Sequence, residues 1–130
     1  MKNFYLASTS SSPEIDFQFE ERQLFIKGES YPENAAMFWN PVITELKQFL
    51  ENDRSPYTIV INIALSYFNS SSTKMLFSLF EALDNKAKLG TNVIMNWSHD
   101  EEDDTIFEFG QELKEDFPHL IFHDHATKSI

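Results

Sequence analysis

The chain contains no cysteine, and this absence excludes disulfides, thiolate metal sites and cysteine nucleophiles. Glycine is nearly as scarce, at three residues, too few for a loop that cradles phosphate, and no Walker pattern is present. No apolar run approaches the roughly 18 residues that would span a bilayer. Met1–Ala7 has one lysine and too short an apolar stretch for a signal peptide, so a cytoplasmic protein is expected. Basic residues are also few. Ten Lys and Arg stand against 21 Asp and Glu, a formal charge of −11, which argues against binding nucleic acid or anionic membrane surfaces.

Apolar material, by contrast, is abundant. In 130 residues, 42% are hydrophobic and 13 are phenylalanine, enough for a substantial core despite the acidity. The length suits one domain over residues 1–130, with no internal repeat or linker.

Ile15, Phe17 and Phe19 alternate with polar residues, and Leu24–Ile26 follows before Gly28, the pattern of a hairpin. Phe4 and Leu6 suggest a short edge strand. Asn40 is expected to cap a helix with Pro41 as its first residue, carrying Val42, Ile43, Leu46, Phe49 and Leu50 on one face. Thr58–Leu65 is the strongest strand, and its apolar residues on both sides predict two covered faces. Met75, Leu76, Leu79, Phe80, Leu83 and Ala87 mark a second helix, stopped near Gly90. Val93–Trp97 is a strand, Ser98–Asp104 an acidic loop, Thr105 the opening of a helix, and Leu120–His123 a last strand. The class is α/β: a single-layer mixed sheet, opened by an N-terminal β-hairpin and continued by βαβ units.

Three segments could carry chemistry. Asn69-Ser70-Ser71-Ser72-Thr73-Lys74 lies where the central strand passes into a helix, a position that tolerates phosphate because helix-start amides favour negative charge. Capping alone would need only one of those side chains. Asp100, Asp103 and Asp104 with His99 could serve a metal-dependent hydrolase, although the run lacks the calcium-loop pattern and also suits a solvated helix start. His99, His119, His123 and His125 read as surface histidines. A scaffold domain whose serines merely cap a helix is the third possibility. No cofactor is indicated.

Tyr31-Pro32-Glu33-Asn34, Phe38-Trp39-Asn40-Pro41-Val42 and Tyr67-Phe68-Asn69-Ser70-Ser71-Ser72-Thr73-Lys74 together resemble the SiaC family of bacterial regulatory phosphoproteins. Thr9–Phe17, Asn96-Trp97 and Glu108-Phe109-Gly110 fit the same pattern, so the resemblance covers nearly the whole chain. It implies a STAS-like switch domain with no enzymatic activity, phosphorylated by a dedicated Ser/Thr kinase and dephosphorylated by a PP2C-like phosphatase. It further implies that the unphosphorylated form binds and activates a diguanylate cyclase, promoting aggregation and biofilm. The acceptor falls on Ser70, a serine where the family pattern has threonine, with Ser71 as the alternative. Asn69, Ser71, Ser72 and Lys74 are its neighbours, and Tyr31, Pro32, Glu33, Asn34 and Tyr67 complete the implied switch surface. The resemblance also leads us to expect Tyr31–Asn34 to pack near the serines.

Overall fold

A computed structural model describes residues 1–128. Along the chain run β1 (Phe4–Leu6), β2 (Glu14–Gln18), β3 (Gln23–Ser30), α1 (Ala35–Asn52), β4 (Ile59–Phe68), α2 (Ser70–Lys88), β5 (Val93–Asp100), α3 (Asp104–Asp116) and β6 (Ile121–Thr127). Six strands form one mixed sheet in sequence order. The β1–β2 and β2–β3 pairs are antiparallel, and the β3–β4, β4–β5 and β5–β6 pairs are parallel, with α1, α2 and α3 as the successive crossovers.

Register follows the apolar alternation. Phe17 pairs with Leu24, Leu24 with Ile61, and Ile61 with Met95, a row crossing four strands on one face. Ile15, Ile26, Ile63 and Trp97 form the next row. These side chains are buried with Trp39, Leu46, Leu76, Leu79 and Phe80 from the helices. The opposite face is not covered as the apolar pattern of the central strand suggests. Asp16, Asn62, Ala64, Asn96 and His125 on it are half-buried or exposed. Val60 and Ala64 are apolar but small, and helices from same-direction crossovers collect on one side of a sheet.

Local departures from the sequence reading share a cause, in that packing overrides local signals. The first helix begins at Ala35, capped by Asn34, and Pro41 lies inside it. A proline there costs about 3 kcal/mol by removing one helical hydrogen bond. Starting the helix at Pro41 would instead withdraw Ala35 and fully buried Trp39 from the stripe completed by Val42 and Leu46. Strand β4 continues past Leu65 to Phe68, and β5 continues through Ser98 and His99 to Asp100 instead of opening into a loop.

The extension of β4 contains an irregularity that shapes its end. Gly28 pairs with Leu65 but Glu29 pairs with Tyr67, so the register slips by one residue. Gly28 has φ +124°, open to glycine, and an added Cβ would come within 3.4 Å of the Pro13 Cα. The slip turns Phe68 into the core, where its ring lies 4.7 Å from Phe109, and leaves Tyr67 half exposed.

Candidate functional site

Because β3 and β4 are parallel neighbours, their carboxyl ends lie at the same edge of the sheet, where open α/β sheets offer ligands and partners access. Two helices start there. Asn34 accepts a hydrogen bond from the Met37 amide (3.0 Å), and Asn69 accepts one from the Ser72 amide (2.9 Å). The Asn69 amide donates to the Ser30 carbonyl at 3.0 Å, tying the start of α2 to the end of β3. The Tyr31 amide donates to the Ser11 carbonyl at 2.8 Å, so the N-terminal loop closes over the same edge.

The structure thus brings Tyr31–Asn34 against the serine segment. The rings of Tyr31 and Tyr67 meet edge-on, 5.8 Å between centroids. An open groove runs between the two helix starts, with Pro32, Asn34 and Met37 on one wall and Ser71, Lys74 and Met75 on the other. Glu33 is exposed at its rim, and Met37 is 74% exposed, an unusual position for a large apolar side chain.

The three serines are not equivalent. Ser70 and Ser71 are exposed in the first turn of α2, whereas Ser72 is fully buried. Ser72 Oγ donates to the Ser30 carbonyl (3.0 Å) and lies 2.8 Å from Ser30 Oγ, which in turn accepts from Trp39 Nε1 (3.1 Å). Ser72 therefore does not belong to the exposed surface with Asn69, Ser71 and Lys74. Helical phase signals this in the sequence, since Ser72 stands four and seven residues before buried Leu76 and Leu79.

A second groove opens on the other side of Tyr67, lined by Ser66, Thr105, Phe109 and the acids Asp103, Glu108 and Glu112. Residues 98–118 hold nine acids against one lysine. This acidic surface borders the end of β4 at the start of α3, next to the serine edge.

The acidic segment forms a solvated helix start, one of its two readings from the sequence, and among the histidines only His99 departs from the surface reading. Asp103 caps α3, accepting from the Ile106 amide (3.0 Å), and Asp104 lies in its first turn. Asp100 Oδ1 accepts from the Glu102 amide at 2.8 Å. Among the described residues no three His, Asp or Glu side chains converge to hold a metal ion. His99 is buried at the end of β5, not on the surface. Its place was legible, because Val93, Met95, Trp97 and His99 follow the two-residue period of one strand face. His119, His123 and His125 are exposed. No helix among the described residues is long and apolar enough to cross a membrane.

Comparison with known proteins places this architecture. The family model for SiaC family regulatory phosphoproteins matches residues 6–127. An uncharacterized protein of Pseudomonas aeruginosa strain UCBPP-PA14 is 28% identical over 123 residues, covering 93% of this chain and 96% of the relative. The crystal structure of apo-SiaC from Pseudomonas aeruginosa superposes with a TM-score of 0.88 at 26% identity, covering 97% of this chain and all of the other. SiaC in the crystal structure of the diguanylate cyclase SiaD with its activator SiaC gives a TM-score of 0.87 at 26% identity, over 95% and 99% of the two chains. A six-stranded mixed sheet with three crossover helices is thus shared along nearly its full length, and the chain belongs to the SiaC family of regulatory phosphoproteins.

Proposed function

We propose that this protein is a non-enzymatic partner switch, controlled by phosphorylation at the start of α2. The observation that carries the reading is the pair of exposed hydroxyls, Ser70 and Ser71, beside the groove formed with Tyr31–Asn34. Ser70 is the proposed acceptor and Ser71 the alternative. Tyr31, Pro32, Glu33, Asn34, Tyr67, Asn69, Ser71 and Lys74 form the partner-facing surface, and Ser72 holds that surface from beneath.

The physics of the position supports a switch more than a change of fold. A phosphate adds about −1.5 to −2 charges and three acceptor oxygens. At a helix start it meets unpaired amides and the positive end of the dipole, so α2 itself tolerates it. Lys74 is exposed one turn along and gives it a cation. An occupied interface does not tolerate it as well, because the charge would have to be desolvated against the partner or displace it. A second copy of that logic operates through α3, whose Asp103, Glu108 and Glu112 already make the Tyr67 side negative.

The partner class follows from the family. SiaC of Pseudomonas aeruginosa is the activator of the diguanylate cyclase SiaD, and we infer a diguanylate cyclase as the partner here, with a Ser/Thr kinase and a PP2C-like phosphatase setting the phosphate. The test is calorimetric binding of wild type, Ser70→Ala and Ser70→Asp to the cyclase from the same host. Ser70→Ala keeps wild-type affinity, and Ser70→Asp loses about 100-fold or more, the order expected for one buried unpaired charge. Equal binding by Ser70→Asp and wild type overturns the proposal.

A further inference from the structure

Strand β6 is the free edge of the parallel half of the sheet, and its residues are exposed almost throughout. One buried side chain reaches it from β5. His99 is 7% exposed, with Nε2 3.0 Å from Asp124 Oδ2 on β6 and Nδ1 2.8 Å from the Asp100 carbonyl. The Phe107 ring of α3 packs against the imidazole at 5.4 Å. The backbone around it closes the same corner. Thr127 Oγ1 donates to the His99 carbonyl (3.2 Å), and the Glu101 amide donates to the Thr127 carbonyl (2.7 Å).

Both ring nitrogens therefore face oxygen acceptors. A neutral imidazole has one N–H and one lone pair, so it can satisfy only one of these contacts. A backbone carbonyl never donates. The other way to satisfy the geometry, a proton on Asp124, places it on a group of much lower ordinary pKa. We infer that His99 is a buried imidazolium clamping β6 and the start of α3 to β5, and that losing its proton gives up one of these two contacts and loosens the edge strand.

The charged groups around it all favour the proton. The Asp124 carboxylate faces it from β6 and Asp103 acts from the cap of α3, while Asp100 on its own strand offers its backbone carbonyl and Glu101 and Glu102 are exposed in the intervening turn. From β4 the corner is lined by Ala64, Leu65 and Ser66, which carry no charge. Burial pulls the His99 pKa down, but the hydrogen bonds to Asp124 and the Asp100 carbonyl and the charges of Asp124 and Asp103 together hold it above the ordinary value. A raised pKa in the folded state fixes the direction. The clamp is complete below the ordinary histidine value and is lost as pH rises through the folded one.

Nitrogen-detected imidazole NMR on the whole wild-type chain tests this directly. At about pH 6 His99 carries protons on both ring nitrogens. Across its titration, hydrogen exchange of β6 amides, corrected for intrinsic base catalysis, quickens by about tenfold beyond the rest of the sheet. Asp124→Asn moves the His99 titration to lower pH and removes that step, while the exposed His119–Asp84 pair, 3.2 Å apart, serves as an unaffected control. A single N–H on His99 at about pH 6, or β6 exchange that does not change across its titration, overturns the inference.

Discussion

The hydroxyl oxygens of Ser30 and Ser72 lie 2.8 Å apart in the interior, one at the end of β3 and the other in the first turn of α2. With Trp39 Nε1 on Ser30, this contact joins the starts of both helices that frame the groove. Every donor in it is used: Trp39 to Ser30 Oγ, Ser30 to Ser72 Oγ, and Ser72 to the Ser30 carbonyl. Ser30→Ala leaves the Trp39 N–H buried without its acceptor, and it should cost about 1–3 kcal/mol in urea unfolding. Ser72→Ala leaves Ser30 Oγ its Trp39 donor and the Ser30 carbonyl its Asn69 amide, so its cost should be smaller, about 1 kcal/mol.

Acid stability depends on Asp53. Its carboxylate is 5% exposed and pairs with both guanidinium nitrogens of Arg22, one at 3.0 Å, while Lys86 Nζ lies 3.5 Å away. The Arg22 hydrogen bonds outweigh burial and hold the Asp53 pKa below its ordinary value, aided by the charges of Arg22 and Lys86. The contribution is therefore present above the unfolded pKa and lost as pH falls through the lower folded one. Asp53→Asn should cost about 3 kcal/mol near neutrality, by leaving two half-buried cations unpaired. Its unfolding free energy should then vary less than that of wild type as pH falls below about 4.

Gly110 distinguishes two opposing effects of one methyl group. In an open helix interior, Gly→Ala gains about 1 kcal/mol. Here an added Cβ would sit 2.5 Å from Trp97 Cδ1, and Trp97 is fully buried with Nε1 donating to the Ile106 carbonyl at 3.0 Å. The indole cannot move without losing that bond, so Gly110→Ala should destabilise by at least about 2 kcal/mol and shift tryptophan fluorescence.

What could be read from residues alone depended on where local pattern and packing agree. Ile15–Phe19 alternates cleanly, and Ile59–Leu65 and Val93–Trp97 are short β-rich apolar runs, so the strands and the hairpin were legible, although Val60 and Ala64 suggested a second covered face that the sheet lacks. Their polar ends were not, since Ser66, Tyr67 and Ser98 carry no hydrophobic alternation to mark pairing. The serine segment announced itself by type, but only the helical phase separates inward Ser72 from outward Ser70 and Ser71. Pro41 gave the opposite error, a strong local signal overruled by Trp39. Because Pro41 and Met37 are both exposed, Pro41→Ala should restore a donor for the Met37 carbonyl without disturbing the core. It should stabilise the protein by about 1–3 kcal/mol in urea unfolding.

Ser71, which lines the groove, and Ser70, its neighbour in sequence, make the acceptor assignment testable by site. With Ser70 as acceptor, Ser70→Ala abolishes the phosphate on protein isolated from its host, whereas Ser71→Ala retains it, as intact mass before and after phosphatase treatment would report. Ser72 offers a structural control: its buried hydroxyl donates to the Ser30 carbonyl and is closed to a kinase in the folded state. Ser72→Asp should therefore unfold the groove instead of mimicking a signal, because an unpaired carboxylate there costs several kcal/mol. Loss of cyclase binding with retained folding in Ser70→Asp, set against loss of both in Ser72→Asp, separates a switch from a broken scaffold. If Ser71→Ala alone removes the phosphate, the acceptor moves one residue and the switch reading stands. Retention of full phosphorylation in the Ser70→Ala, Ser71→Ala double variant would place the modification elsewhere and remove the physical basis for a switch at this helix start.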